Sequence, residues 1–215
     1  MSCPQCQGIE TFFDRREAER ELRSYRKKGP SRVTKVLLEA IRAEGVDGAS
    51  LLDVGGGVGA IQHELLASGA SSAVSVDASS AYLAVAKEEA ERRGLSDRVE
   101  ARFGNFVDLA PQVEPADIVT LDKVLCCFDD VQQLVHLSSA KAKRIYGLVY
   151  PRDNLLLKAV LPIANLYFRL KRSPFRVFLH PTAVVEALVE ANGLRRTFHR
   201  KSGAWQVAVF TRAPA

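Results

Sequence analysis

The chain of 215 residues has few cysteines and no long apolar run. Its cysteines are Cys3, Cys6, Cys126 and Cys127. In a chain this large they do not make the disulfide framework that is typical of small secreted proteins. No basic segment followed by an apolar one opens the sequence, so we expect no signal peptide. No run of about 18 apolar residues occurs, and we therefore expect a cytoplasmic protein without a transmembrane segment.

Acidic residues are scarce in one long stretch of the chain. Between Lys141 and His180 there are nine basic residues and a single acid, Asp153. The formal net charge of the whole chain is +5 and its isoelectric point is about 9.1. This charge favours anionic substrates or surfaces, but it does not require a nucleic-acid partner.

The segment from residue 50 onward alternates between strand and helix patterns. Strands are expected at residues 51–54, 73–76, 99–103, 117–121 and 145–150, and a hairpin is expected at 194–201 and 205–211. Such alternation is typical of a parallel sheet covered by helices on both faces. We therefore predict an α/β fold, with a Rossmann-like doubly wound sheet of seven strands that is mostly parallel and ends in an antiparallel hairpin.

Two segments do not fit this alternation. Residues 1–44 are expected to form a loose arm of about ten residues and a helical lid, ahead of a main domain at 45–215. In the lid, a charged helix from Glu10 to Lys28 is followed by a helix from Val33 to Ala43, which Ser31 caps. The second segment is an apolar insertion at about 153–180. We expect it to cover the substrate, while a dimer interface or a helix on a membrane surface stay open as alternatives.

The segment from Leu51 to Gly59 predicts a ligand-binding loop. Its sequence is Leu-Leu-Asp-Val-Gly-Gly-Gly-Val-Gly, a buried strand that turns sharply into a helix. Gly55, Gly57 and Gly59 permit backbone angles that a Cβ disfavours, and they let a ligand lie against the main chain. Such a loop binds an adenosyl group or a pyrophosphate. The spacing alone does not decide, because the same residues also match the dinucleotide fingerprint G-x-G-x-x-G/A.

Two acids near this loop are candidates for contacts with a nucleoside. Asp53 lies inside the first strand, where its carboxylate could accept from an amino group. Asp77 ends the second strand next to Ala78, and a carboxylate at that place can accept from both ribose hydroxyls. Both positions lie towards the carboxyl ends of the predicted strands, where open α/β sheets bind their ligands.

The third and fourth strands also end in polar residues. Asn105 would supply a polar side chain for an adenine amino group, and Phe106 an aromatic ring beside it. Asp122 ends the fourth strand at the position that faces the reactive end of a cofactor. Four consecutive strand ends therefore carry binding signals that belong to one edge of the sheet.

Over about residues 45–150 the sequence resembles the class I S-adenosylmethionine-dependent methyltransferases. Leu51 to Gly59 is similar to their first motif, Asp77 to their ribose acid, and Gly104-Asn105-Phe106 to their adenine motif, in which many members have Asp where Asn105 stands. Leu121 to Cys127 and Tyr150-Pro151-Arg152 resemble a bacterial branch often compared with magnesium-protoporphyrin O-methyltransferase. The resemblance implies S-adenosylmethionine as the cofactor, bound by Asp53, Gly55, Gly57, Gly59, Asp77, Ala78, Asn105, Phe106 and Asp122.

The resemblance also bears on the acceptor. The sequence lacks the Asn/Asp-Pro-Pro-Tyr/Phe element that methyltransferases of bases and amides have after strand four, and Leu121-Asp122-Lys123-Val124 stands in its place. We therefore favour transfer to an O or S nucleophile, rather than N, on a small hydrophobic and anionic acceptor. An RNA methyltransferase, an NAD-dependent oxidoreductase and a non-catalytic cofactor-binding protein stay open as alternatives.

Three residues are candidates for a general base: Asp122, His180 and Tyr25. Asp122 could instead hold the amino group of the cofactor. His180 precedes Pro181 beside the apolar insertion, where a packing or capping role is the alternative. Tyr25 could close over the site from the lid, or it could lie exposed on a basic helix.

The cysteines invite a metal interpretation that we disfavour. Cys3 and Cys6 make half of a zinc site, and Cys126 and Cys127 could complete it only if the arm folded back across the sheet. Adjacent cysteines rarely both ligate one tetrahedral ion without strain. We expect no metal, and we expect Cys126 and Cys127 to be small residues that line the site.

Overall fold

The computed structural model describes residues 4–213, which contain one seven-stranded sheet. The strands are β1 Ser50–Val54, β2 Ser72–Asp77, β3 Val99–Phe103, β4 Ala116–Asp122, β5 Ala142–Pro151, β6 Leu194–Ser202 and β7 Trp205–Arg212. The described helices are α1 Pro4–Phe12, α2 Arg15–Lys28, α3 Arg32–Ala43, α4 Ala60–Ala67, α5 Ser80–Arg92, α6 Phe106–Leu109, α7 Val131–Ala140, α8 Leu155–Leu170 and α9 Thr182–Ala191.

The strand order is β3-β2-β1-β4-β5-β7-β6. Strands β1 to β5 pair in parallel, and β7 runs antiparallel to both of its neighbours. The predicted Rossmann-like sheet with a terminal hairpin is thus confirmed. Chain connections leave β1 and β4 in opposite directions along the sheet, and a crevice for ligands opens where the order reverses in this way.

Several helices begin where the sequence indicates. The side chains of Ser31, Ser79 and Asp130 accept hydrogen bonds from backbone amides in the first turns of α3, α5 and α7. Each cap satisfies an N–H group that has no partner inside the helix, which fixes the start of the helix to within a residue.

The core lies on both faces of the sheet. Leu52 and Val54 point into the cluster formed with α7 and α9, whereas Leu51 points to the opposite cluster, with α3 and α4. Helix α3 lies especially close to the sheet. A Cβ on Gly147 of β5 would stand 2.9 Å from the Leu37 side chain. Helix α3, assigned from the sequence to the lid, therefore also builds the main core.

The N-terminal arm is helical from residue 4 onward, so the expectation of a loose arm there is wrong. Helix α1 docks on the main domain because the Gln5 amide donates to the carbonyl oxygens of Cys127 and Arg176, at 2.7 and 3.0 Å. The expected helix from Glu10 to Lys28 is two helices. Its break follows from Asp14, whose side chain caps α2 by accepting from the Glu17 amide.

A buried carboxylate fixes α2 to α5. The side chain of Glu89 is fully buried, and it accepts from Arg26, Arg92 and Arg93 at 2.6 to 2.8 Å. The hydrogen bonds from these guanidinium groups, led by Arg92, hold the pKa of Glu89 well below its usual range. Helix α2 is thereby anchored beside the sheet edge where β1 to β4 end.

The apolar insertion forms helix α8, and all sixteen of its residues are described. None of them is buried. Within residues 4–213, no helix is long and apolar enough to cross a membrane.

Candidate functional site

A cavity of about 770 Å³ lies at the carboxyl ends of β1 to β4. Its floor is formed by the loops that follow these strands, and its walls by α1, α2 and the start of α3. Eight of the nine cofactor-binding residues expected from the sequence line it: Asp53, Gly55, Gly57, Asp77, Ala78, Asn105, Phe106 and Asp122. The ninth, Gly59, is the left-handed N-cap of α4 directly behind the loop.

The glycine loop is shaped by backbone conformations that exclude side chains. Gly55 has a φ of 67° and Gly57 a φ of 58°, both in the left-handed region. A Cβ on Gly55 would overlap the side chain of Val124, and a Cβ on Gly56 would overlap Ser75. The loop therefore presents bare main chain to the cavity, as contact with a nucleoside or phosphate requires.

Asp53 supplies a buried carboxylate at the base of the cavity. Only 1% of the residue is exposed, and its Oδ1 accepts from the Thr120 hydroxyl at 2.7 Å. Its Oδ2 has no hydrogen-bond partner among residues 4–213. Burial raises the pKa of the Asp53 carboxyl to about 7. An unpartnered buried oxygen of this kind fits a ligand that brings its own positive charge.

Asp77 ties two parts of the cradle together. Its carboxylate accepts from the backbone amides of Gly57 and Ser79, at 3.0 and 2.8 Å. Burial raises the pKa of Asp77 to about 6, although the two amide hydrogen bonds lower it. Each oxygen has further acceptor capacity, so ligand hydroxyls can be bound without the loss of these amide contacts.

Asn105 and Phe106 form the wall that follows β3. The Asn105 side chain caps α6 by accepting from the Val107 amide at 3.2 Å, and its amide nitrogen is left for other partners. Phe106 is buried with 4% exposed, and it also lines the cavity.

Asp122 lies between the glycine loop and the N-terminal helices. Its Oδ2 accepts from the Thr34 hydroxyl at 2.6 Å, and its Oδ1 lies 3.3 Å from the ammonium nitrogen of Lys123. Lys123 has a φ of 64°, an arrangement that costs a residue with a side chain roughly 1–2 kcal/mol. Strain of this kind is retained at functional sites, and here it brings the ammonium group back over the carboxylate.

Tyr25 lines the cavity, but its hydroxyl is directed elsewhere. It donates to Glu64 at 3.2 Å, and the ring stacks near His63 and under the Arg93 guanidinium. Burial raises the pKa of Tyr25 well above its usual range, which makes the phenol a poor base at neutral pH. The structure thus gives Tyr25 a packing role between α2 and α4.

His180 does not belong to the cavity lining that residues 4–213 define. Its Nε2 lies 2.9 Å from the carbonyl oxygens of both Leu125 and Phe128. Either carbonyl can accept the ring N–H, so the histidine braces the turn that follows Asp122. Its Nε2 is engaged by these two carbonyl oxygens, and the role of His180 as a general base stays a prediction.

The mouth of the cavity is basic. It is lined by four cations of the N-terminal helices and the turn after β4, which outnumber the one exposed acid of the lining, Glu21; the cations are Lys28, Arg32, Lys35 and Lys123. The sequence analysis missed this group, as it missed Thr34. The positions come from separate segments, and only the packing of α3 on the sheet brings them together. The basic stretch at 141–180, which the sequence indicated for anions, contributes no residue to the described lining.

The apolar insertion does not cover the cavity either, since no residue of α8 is among those that line it within residues 4–213. Helix α1 and the residue that follows it take that place, with Cys6, Ile9 and Phe13 in the lining. The cover is contributed by the N-terminal helices because α1 is held on the domain by Gln5.

Three cysteines meet at this cover. Cys6, Cys126 and Cys127 all line the cavity, and the sulfur atoms of Cys126 and Cys127 are 3.8 Å apart. Cys3 lies outside the described residues. In the described part of the chain no three His, Cys, Asp or Glu residues are grouped as metal ligands. Cys126 and Cys127 are thus lining residues, as the sequence suggested.

Comparison with protein families gives one match. Residues 46–151 fit the model described as a methyltransferase domain. The matched segment runs from just before β1 to the end of β5, so it contains the four strand ends at the floor of the cavity. No curated protein sequence matches the chain.

Solved structures share the fold over most of the chain. The magnesium protoporphyrin IX methyltransferase of Synechocystis PCC 6803 with bound SAH is 17% identical, with a TM-score of 0.73, over 97% of this chain and 100% of that chain. An O-methyltransferase family protein of Burkholderia thailandensis is 18% identical, with a TM-score of 0.68, over 94% of this chain and 64% of that one.

A third structure is similar in fold but carries out methylation at carbon. The geranyl diphosphate C-methyltransferase of Streptomyces coelicolor A3(2) is 14% identical, with a TM-score of 0.65, over 83% of this chain and 77% of that one. Identities this low show a common fold and leave the acceptor open.

Proposed function

We propose that this chain transfers a methyl group from S-adenosylmethionine to an oxygen or sulfur nucleophile on a small, largely apolar acceptor with an acidic group, because residues 46–151 match the model of a methyltransferase domain. One observation carries this proposal. A single cavity joins the glycine loop and Asp77 to a basic mouth, and Asp122 lies between the two.

The donor would be bound by the floor of the cavity. In this proposal the bare main chain of Gly55 and Gly57 accommodates the methionyl and ribose part, and Asp77 accepts from the ribose hydroxyls. Asn105 and Phe106 enclose the adenine. The unpartnered oxygen of Asp53 is available to an ammonium group, and Asp122 faces the reactive end.

The donor supplies a methyl group that is already strongly electrophilic because it is attached to a positively charged sulfur. The residues of this chain then have two tasks, which are to hold the acceptor in line and to remove its proton. Asp122 is our candidate for the second task. The Thr34 hydroxyl fixes one of its oxygens, and Lys123 brings a positive charge that would favour an anionic acceptor or a developing oxyanion.

The acceptor class follows from the lining. Ile9, Phe13 and Phe128 give the acceptor side an apolar surface, while Arg32 and Lys35 supply cations at its mouth. Two structural neighbours are named for magnesium protoporphyrin IX and geranyl diphosphate, which are both largely apolar molecules with acidic groups. We infer the same class for this chain, but not either of those molecules.

Calorimetric titration of S-adenosylmethionine and SAH tests the donor half of the proposal. We expect saturable binding that Asp77→Ala weakens by about a hundredfold, because the substitution removes two hydrogen bonds to a charged group and the acceptor for the ribose. Asp117→Ala is the matched control. Its carboxylate also accepts from a backbone amide, that of Ser50, but at the opposite edge of the sheet. Equal losses in the two variants, or binding of NAD instead, would contradict the proposal.

A panel of hydroxyl and thiol acceptors, each paired with its uncharged analogue, tests the acceptor half. We expect the Arg32→Gln, Lys35→Gln double variant to raise KM for the acidic acceptors alone and to leave donor affinity unchanged. Lys143→Gln on β5, which does not line the cavity, is the control. Methylation of RNA with a steep dependence on salt would favour the nucleic-acid alternative.

A further inference from the structure

Helix α8 has sixteen residues, and its side chains are unusually exposed. Its sixteen residues span about 24 Å, at 1.5 Å per residue, and none of them is buried. Leu155 is 84% exposed, Ile163 68% and Leu170 76%. A surface helix in a soluble protein normally turns such residues towards the core, so α8 presents apolar surface that nothing in the described chain covers.

The exposed apolar residues of α8 share one face. At 100° per residue they fall within an arc of about 140° that contains no charged residue. We call this surface the outer face of α8, and it consists of Leu155, Leu156, Ala159, Val160, Ile163, Leu166, Tyr167 and Leu170. The half-buried residues Leu157, Leu161 and Phe168 lie on the opposite side of the helix.

The opposite side is fastened to the protein, which fixes the direction of the outer face. The Asn165 side chain exchanges two hydrogen bonds of 2.8 Å with the backbone of Val177. The ring of Phe168 packs edge-on against Phe12 and Phe175, at 5.5 and 5.2 Å between centroids. The helix cannot roll its apolar residues inward without the loss of these contacts.

Cations border the outer face. Lys158 and Arg169 lie along one edge of the helix, and Lys171 and Arg172 follow its end. The sequence from 154 to 185 contains no acid. The acid that is nearest in sequence, Asp153, is paired with Lys158 at 2.7 Å, so the excess positive charge comes from Arg169, Lys171 and Arg172. The surroundings of the apolar face are therefore complementary to an extended negative surface.

We propose that the outer face of α8 docks the protein on an anionic lipid surface. An apolar face of this width, bordered by lysine and arginine and with Tyr167 at its edge, matches a helix that lies in the plane of a membrane interface. A symmetric dimer through the same face would bring two sets of these cations together, with no acid in the segment to compensate. The proposal does not depend on methyl transfer.

Sedimentation with vesicles of phosphatidylcholine alone, or with about a third phosphatidylglycerol, tests this inference without donor or acceptor. We expect binding to the anionic vesicles that salt weakens. Ile163→Gln and Leu170→Gln together should weaken it by at least about tenfold, because two exposed side chains no longer enter the apolar layer. Val184→Gln on α9 is the matched control, since Val184 is also exposed at 36% but lies on another helix.

The charge component has its own pair of variants. Lys171→Gln with Arg172→Gln should weaken binding to anionic vesicles by about fivefold per residue, while Arg195→Gln with Arg200→Gln on β6 should not. No binding of the native chain to either vesicle would overturn the proposal. So would a dimer in solution that Ile163→Gln with Leu170→Gln converts to monomer. Circular dichroism of each variant shows whether its fold is retained.

Discussion

The two ends of the cavity, which we propose as the donor end and the acceptor end, are built in different ways. The donor end consists of main chain at Gly55 and Gly57 with the buried carboxylates Asp53 and Asp77, all within 25 residues of sequence. The acceptor end consists of charged side chains such as Arg32 and Lys123, which are far apart in the sequence. Recognition by main chain suits a ligand that does not change, whereas surface side chains can vary with the acceptor at little cost to the fold.

Asp122 stands at the junction of the two ends, and its substitution should have the largest effect. If it removes the acceptor's proton, Asp122→Asn should lower kcat by about 10²–10⁴-fold and leave donor affinity within about twofold. Thr34→Val, which removes only the hydroxyl that donates to Asp122, should lower kcat by about tenfold. Single-turnover kinetics with calorimetry separates the outcomes. Weaker donor binding with an unchanged kcat would assign Asp122 to the donor end.

Two glycines with almost the same backbone conformation can test whether donor binding depends on the bare main chain of the donor end. Gly55 and Gly48 have φ values of 67° and 68°, but a Cβ meets Val124 at Gly55 and nothing within 4 Å at Gly48. Gly55→Ala should weaken donor binding by about tenfold, and Gly48→Ala should leave it unchanged. Gly48→Ala should lower the free energy of unfolding by about 1 kcal/mol, and Gly55→Ala should lower it further because of the overlap with Val124. Adding Val124→Ala to Gly55→Ala should restore part of the affinity. Without such a rescue, the overlap is not the cause.

The buried carboxylates of the donor end predict a pH dependence that the acceptor end does not share. Burial raises the pKa of Asp53 to about 7 and that of Asp77 to about 6. In the free protein, the burial of both groups in their neutral form adds to the free energy of unfolding, and this contribution is complete below about pH 4. It is lost as the pH rises through 6 and 7, because the buried groups then ionise. A cationic donor prefers the ionised forms, so its affinity should rise about tenfold from pH 6 to pH 8.

Calorimetry in buffers of different ionisation heat measures the protons released in this step. Asp53→Asn should flatten the rise in donor affinity above pH 6, because the group that titrates near 7 is gone. Asp117→Asn, at the other edge of the sheet, should leave the profile intact. An unchanged profile in Asp53→Asn would mean that Asp53 does not face the cationic part of the donor.

The residues that line the proposed donor end could be placed together from the sequence because their signals are local. The glycine spacing from Gly55 to Gly59 encodes one sharp turn, and Asp77 and Asn105 follow strands whose apolar runs are unambiguous. Parallel strands place such positions at the same edge of the sheet whatever their exact length. The parallel sheet was predicted from the alternation of strand and helix patterns and the terminal hairpin from the last two strand patterns, whereas the order of the strands came from the structure.

The acceptor end could not be predicted in this way. Thr34 reaches Asp122 only because Leu37 and Ile41 set the rotation of α3 on the sheet at Gly147. Helix α1 was not recognised because its contacts, such as the hydrogen bonds of Gln5 and the ring of Phe12 against Phe175, are made with segments far away in the sequence. The surroundings of His180 could not be predicted either, because the sequence does not show that the carbonyl oxygens of Leu125 and Phe128 lie against its ring.

The position of β7 between β5 and β6 has a consequence for the order of assembly. Val207 and Val209 of β7 pack in the same core cluster as Leu37 of α3. During synthesis on the ribosome, one edge of β5 therefore stays unpaired until β7 has emerged. Helix α3 also lacks its packing contacts with Val207 and Val209 until then. Contacts between segments so far apart in sequence form late. The glycine loop can take shape early, but the place where the methyl group is received waits for β7.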